Sequence, residues 1–219
     1  MGPIKYNQGV GTQFATSPAI PAKRFNTQRF NQIVRIAVQL TGTNFTDAAS
    51  MMLKSNWDAL IAATDETRII LSPPFSGSKV SPSKIIETSA DSNDSYRGLP
   101  IYFGEGTTMF EGLFNDVDAA VLDAFFNTVA EFSMGNGIGT NALVVYLINN
   151  DGHIFSTPTF GGLPCINLSG RSRGSDGLNT SDKTAFNFYM PPNWDSGDTL
   201  PTPTVPVGVG AVDLRAYAW

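Results

Sequence analysis

Apolar and polar residues alternate along several short stretches of the chain. The first is QIVRIAVQL at residues 32–40, in which every second position carries a branched apolar side chain. A period of two over this length predicts a strand with one buried face. AFNFYM at residues 185–190 has the same period, with Phe186, Phe188 and Met190 on one side. Both stretches therefore predict strands of a sheet.

The densest apolar run, ALVVYLI at residues 142–148, is followed by the polar turn NNDG and then by HIFSTPTF. Asn150, Asp151 and Gly152 are residues that tolerate positive φ at little cost. Two apolar runs joined by such residues predict a β-hairpin.

Two longer stretches have the period of an α-helix. Near residues 46–63, Thr46 or Asp47 can cap a helix whose apolar face consists of Ala49, Leu53, Trp57, Leu60 and Ile61. Near residues 114–132, within EGLFNDVDAAVLDAFFNTVAEF, the apolar face consists of Val117, Val121, Phe125 and Val129. We expect the second helix to cover a sheet, with Val121 and Phe125 buried against it.

Together these elements predict a mainly β protein of the α+β class. We expect residues 25–199 to form an antiparallel β-sandwich or barrel of about 8–10 strands with two flanking helices. Residues 1–24 are rich in Gly, Pro and Thr and predict an N-terminal extended arm. Residues 200–219, which include LPTPTVPVGVGAV, predict a C-terminal extended segment of the same style.

Composition makes contact with other subunits plausible and excludes two other kinds of partner. Charged residues make up 15% of the chain, against roughly 25% in an average soluble domain. A neutral polar surface is easier to desolvate against another subunit than a surface of Lys and Glu. The net charge of −5 and the small number of basic residues predict no specific nucleic-acid binding. No apolar run approaches the ~20 residues of a membrane-spanning helix, so we expect no membrane association.

The residues needed for catalysis are scarce. His153 is the single histidine and Cys165 the single cysteine, so neither a clustered zinc site nor a convincing catalytic triad can be assembled. GNGIGT at residues 135–140 resembles a dinucleotide loop, but that fingerprint needs a strand before the glycines and a helix after them. Here the order is reversed, and Gly135 is better placed to cap the preceding helix. The sequence therefore predicts no catalytic, cofactor-binding or metal-binding residues.

A few residues are instead candidates for subunit contacts. Arg171 and Arg173, in the Gly/Ser-rich stretch SGRSRGSDG, can pair with acids of a neighbouring subunit or hold an anionic ligand. Aromatic residues give the terminal segments apolar anchors that need pockets, which we expect on adjacent subunits. The candidate interface residues are Phe14, Arg171, Arg173, Trp194, Tyr217 and Trp219.

The order of the elements resembles a known family. A central helix, the hairpin LVVYLINNDGHIF, the segment GLPCINLSG, the strand FNFYMPPNW and extended tails are similar to those of tailed-bacteriophage virion structural proteins, above all tail-tube proteins. The resemblance implies a non-enzymatic protein that forms homo-oligomeric rings, commonly hexameric, and binds other virion proteins. The rings would stack into a tube through which DNA passes. It also implies a location in the virion, after assembly in the host cytoplasm.

Other functions stay open at this point. Head-decoration, head-completion and neck proteins of the same kind of virion use similar β folds. A carbohydrate- or receptor-binding β-sandwich module, with Trp, Tyr and Arg in its loops, belongs to a different class. An acidic chain poor in Lys and Arg fits a lumen along which DNA slides, which favours the tube.

Overall fold

The computed structural model describes residues 32–40, 45–65, 67–81, 85–87, 102–134, 143–165, 167–174, 182–192, 194–195 and 201–217. The helices in this part of the chain are α1 (Ala48–Met52), α2 (Lys54–Ala62) and α3 (Ala119–Met134), and a 3-10 turn follows at Leu214–Ala216. The strands are β1 (Ile33–Leu40), β2 (Ile69–Leu71), β3 (Ser76–Ser81), β4 (Ile85–Glu87), β5 (Tyr102–Glu105), β6 (Thr108–Asn115), β7 (Leu143–Asn149), β8 (Ile154–Ser156), β9 (Leu163–Cys165), β10 (Asn167–Gly174), β11 (Lys183–Met190) and β12 (Thr202–Thr204).

The strands form two main sheets and a separate pair. The first sheet has the order β12-β8-β7-β1-β2, with β9 also paired to β7. The second has the order β10-β11-β6-β3, and β4 pairs with β5. The described strand pairs are antiparallel, which confirms the predicted mainly β, α+β class. Among these strands no sheet closes into a barrel.

Strand β1 is central in the first sheet and is buried on both faces. Ile36 and Val38 are at most 1% exposed on one face, and Arg35 and Gln39 are each 2% exposed on the other. The prediction of a half-buried strand was therefore wrong. A second layer, made by α1, α2 and the C-terminal residues, covers the face that carries Arg35, Ala37 and Gln39.

The first core contains side chains from both main sheets. Phe75 makes edge contacts with Phe110, Phe114 and Phe186, with ring centroids 4.8–6.2 Å apart. Residues of β1, β7 and β9 belong to the same cluster, namely Ile36, Val38, Leu143, Val145, Leu147, Leu163 and Cys165. The predicted alternation in β11 is confirmed, since this cluster also includes Phe186, Phe188 and Met190.

Helix α3 packs on this first core, but it begins later than expected. Residues 114 and 115, which the sequence placed at the start of the helix, belong to β6 and pair with β11. The buried face of α3 is formed by Leu122, Phe125, Phe126 and Val129. Phe125 is thus buried as predicted, whereas Val121 is only half-buried, because the face is rotated towards Leu122 and Phe126.

The second core lies under α1 and α2, around Trp57. The indole is fully buried, donates a hydrogen bond to the main-chain oxygen of Met51 and packs against Phe45 and Tyr146. Asp47 caps α1, as one of the two expected candidates. The expected single helix over 46–63 is interrupted at Leu53, which is 43% exposed and forms a β-bridge with Ala211.

The predicted hairpin is present between β7 and β8. Its register pairs Leu147 with Phe155 and Ile148 with Ile154. Of the three turn residues, Gly152 adopts positive φ, at 83°. The hairpin places Asn150 next to the C-terminal residues described below.

Candidate functional site

The C-terminal residues fold back onto their own chain. We call residues 211–217 the docked segment. Val212 donates a main-chain hydrogen bond of 2.8 Å to Met52, and Lys54 donates one of 3.0 Å to Gly210. Val212 and Leu214 are 4% and 2% exposed and belong to the second core. The docked segment is therefore not the extended tail that the sequence predicted, because its apolar residues find a pocket in the same chain.

Arg35 fixes the docked segment from inside the sheet. Its Nη1 donates a 2.6 Å hydrogen bond to the main-chain oxygen of Leu214, and its Nη2 donates a 2.8 Å bond to that of Tyr217. Burial lowers the pKa of Arg35, and the nearby carboxylate of Asp213 partly offsets this effect. Sequence reasoning placed Arg35 on a solvated strand face. A charged residue in the middle of an apolar strand was the available signal.

Asp213 and Arg215 hold the 3-10 turn. The Asp213 carboxylate accepts hydrogen bonds from the main chain and from Nε of Arg215, at 3.1 and 2.8 Å. The hydrogen bond between the two side chains lowers the pKa of Asp213 and raises the pKa of Arg215. Arg215 also donates a 2.6 Å bond to the main-chain oxygen of Asn150. The docked segment is thereby attached to the β7–β8 hairpin.

Tyr217 joins the end of the docked segment to α2. Its hydroxyl donates a 2.6 Å hydrogen bond to Asp58, and Lys54 lies 5.0 Å from the centre of its ring. Burial and the contact with Asp58 raise the pKa of Tyr217. A cleft of about 350 Å³ lies beside it, lined by Lys54, Ala211, Asp213, Ala216 and Tyr217. Tyr217, predicted to contact another subunit, thus has its described contacts within the chain.

An exposed apolar loop connects β12 to the docked segment. We call residues 205–210, with the sequence VPVGVG, the valine loop. Val205, Val207 and Val209 are 46%, 69% and 104% exposed. Gly208 and Gly210 adopt φ of 100° and 78°, and a Cβ atom at either position would meet nothing within 4 Å. These valines are among the most exposed large apolar side chains of the described residues.

The other predicted interface residues lie in different parts of the chain. Trp194 is 5% exposed and packs in the first core, so its indole is not available to a neighbouring subunit. Arg171 and Arg173 lie in strand β10, not in the predicted loop, because this stretch pairs with β11. Their side chains, together with Phe14, Trp219, the N-terminal arm 1–24 and the glycines of residues 135–139, lie outside the described residues, and their proposed roles stay predictions.

The described residues contain few groups suited to chemistry. Among them no three His, Cys, Asp or Glu side chains lie close enough to hold a metal ion. His153 is half-buried after the hairpin turn, and its main chain is bonded to Asn149. Cys165 is a buried free thiol. No helix in this part of the chain has both the length and the apolar character that crossing a membrane requires.

Comparisons of the chain with protein-family models, with curated proteins and with solved structures find no match. The valine loop and the docked segment, known from the geometry alone, are therefore the features on which a functional proposal rests.

Proposed function

We propose that this protein is a non-enzymatic structural subunit that assembles with copies of itself into symmetric rings through the valine loop. The form that the sequence resemblance favours is the tail tube of a bacteriophage, with DNA passing through its lumen and other virion proteins as partners. Its place would then be the virion. In this proposal the two main sheets pack face to face as a β-sandwich, with the first core between them.

The observation that carries the proposal is the exposure of Val205, Val207 and Val209 on one short loop. Single exposed apolar residues are ordinary on protein surfaces, but a contiguous apolar protrusion is typical of an interaction site. Burial of two valine side chains contributes about 3–6 kcal/mol if it is complete. Such a contribution, repeated at every subunit of a ring, offsets part of the entropy that association costs.

The composition is consistent with a subunit surface. Lys and Arg number 14 and Asp and Glu 19 in 219 residues, so the protein as a whole is poor in charge. Little charge has to be desolvated when such surfaces meet. A net charge of −5 also disfavours retention of phosphates by the wall of a lumen.

The test is the double substitution Val207→Ser and Val209→Ser. Because both side chains are exposed, we expect thermal stability to change little and self-association to weaken about a hundredfold or more. A matched control adds two serines to the exposed side of α2, as Ala59→Ser and Ala62→Ser. Association would be measured by sedimentation velocity over a range of concentrations. Unchanged association of the Val207/Val209 variant would refute the proposal.

A further inference from the structure

We propose that in the assembled protein the docked segment of one subunit occupies the socket of a second copy. The socket consists of the groups that now hold the segment, namely Arg35, Met52, Leu53, Lys54, Asp58 and the main-chain oxygen of Asn150. This inference rests on the proposed self-assembly and identifies the surface through which neighbouring subunits are connected. The partner is a second copy of this chain, and the valine loop is the hinge.

The contacts between the segment and the socket do not depend on both belonging to the same chain. Two main-chain hydrogen bonds flank the bridge between Leu53 and Ala211, and Arg35 bonds two carbonyl oxygens of the segment. A docked segment from another copy presents the same groups in the same order. Exchange of an identical element therefore keeps these contacts and is a low-cost route to oligomers.

The hinge has the properties that exchange requires. Gly208 and Gly210 turn the chain back with positive φ, and the space around both is open. Glycine adopts an extended backbone as readily as a backbone with positive φ, so the loop can open without steric strain. The turn between them is held by a 3.3 Å main-chain bond from Ala211 to Gly208.

Exposure of the valines favours opening of the valine loop. In the closed chain described here, Val207 and Val209 are more than two-thirds exposed. When residues 205–210 extend, Val205, Val207 and Val209 fall on one face, because side chains in extended backbone alternate. The extended loop then continues from β12, the outermost strand of the first sheet, towards the neighbouring subunit. Extension thus brings the three valines onto one face, which the neighbouring subunit can cover.

The connectivity also suits a ring. If every subunit gives its docked segment to the next and receives one from the previous subunit, the contact is heterologous. Heterologous contacts close into rings when the rotation between subunits permits it. A reciprocal exchange between two copies would instead end at a dimer.

A disulfide lock tests the exchange. Leu53 and Ala211 are opposed at a non-hydrogen-bonded antiparallel position, where Cα atoms are about 4.5 Å apart, within the range of a disulfide. In L53C/A211C, oxidation of the monomer should keep the segment on its own chain and prevent rings, and reduction should restore them. K79C/E111C, opposed across β3 and β6, is the control for oxidation. Buried Cys165 does not interfere.

A second experiment gives a positive signal. The single variants Leu53→Cys and Ala211→Cys are mixed under assembly conditions and oxidised with copper phenanthroline. We expect a disulfide-linked pair containing one chain of each kind, in excess over the pairs of like chains that random collisions of the exposed position 53 produce, because exchange places the segment of one copy in the socket of another. If this pair is absent and the locked variant still forms rings, the exchange is refuted while the proposed function stands. If the wild-type chain does not associate under any condition, both are refuted.

Discussion

The guanidinium of Arg35 donates a 2.6 Å hydrogen bond to the main-chain oxygen of Leu214, across 179 residues of sequence. One residue is in the central strand of the first sheet and the other in the C-terminal 3-10 turn. A buried charge that bonds backbone oxygens fixes the position of a segment, because removal of either group leaves the other without its partner in a dry site. This contact keeps the docked segment in its place.

Arg35→Met should therefore release the docked segment. Loss of two hydrogen bonds should lower the free energy of opening by about 1–3 kcal/mol. Amide hydrogen exchange across residues 211–217 would measure this, with Val212 as the most informative amide because it bonds to Met52. The matched control is Gln39→Met. Gln39 lies on the same face of β1 and is equally buried, but it bonds Thr67. Equal loss of protection in both variants would contradict a specific role for Arg35.

Phe125 and Val121 test the orientation of α3. Phe125 is 1% exposed and contacts the rings of Phe114 and Phe126. Phe125→Ala should cost about 3–5 kcal/mol of unfolding free energy, as is usual for a core phenylalanine. Val121→Ala should cost under about 1 kcal/mol, since that side chain is only half-buried. Denaturant titration would measure both losses. A loss well above 1 kcal/mol for Val121→Ala would mean that the face predicted from sequence, which contains both residues, is the correct one.

The parts of the fold that follow local rules could be predicted from the sequence. The alternation of Phe186 and Phe188, the hairpin turn at Gly152 and the cap at Asp47 depend on neighbours within a few residues. The break at Leu53 could not be predicted, because it depends on pairing with Ala211 far along the chain. The role of Arg35 could not be predicted for the same reason. Its acceptors are main-chain oxygens far along the chain, and every residue type has such an oxygen. The sequence shows that the valine loop is apolar, but the exposure of its side chains is known only from the structure.

Gly112 is a site of close packing in β6. A Cβ atom there would lie 2.5 Å from the ring of Phe186 and 3.0 Å from that of Phe75. Gly112→Ala should therefore destabilise the fold by about 1–3 kcal/mol through overpacking. Phe186→Leu in the same chain removes the ring atoms that clash, so the double variant should lose less stability than the sum of the two single changes. Simple additivity in thermal or chemical unfolding would refute this packing.

Tyr217 makes the docked segment sensitive to alkaline pH. Because burial and Asp58 raise the pKa of its phenol above the usual value of 10.0, the contact stabilises the folded chain fully below pH 10. The contribution is lost as pH rises through the folded-state pKa. Absorbance titration of the phenolate should show an ionisation that Tyr217→Phe removes and that Asp58→Asn moves closer to pH 10. An unchanged titration curve in Asp58→Asn would contradict the contact.

Self-assembly is the central claim, and the mass of the wild-type protein in solution tests it most directly. Mass photometry of the purified chain across a concentration series, with negative-stain imaging of the same samples, would give the number of subunits and the shape of the particles. We expect closed rings of one defined subunit number, or tubes stacked from them. A chain that stays monomeric throughout the series, and binds glycans as a monomer, would contradict it and favour a binding module.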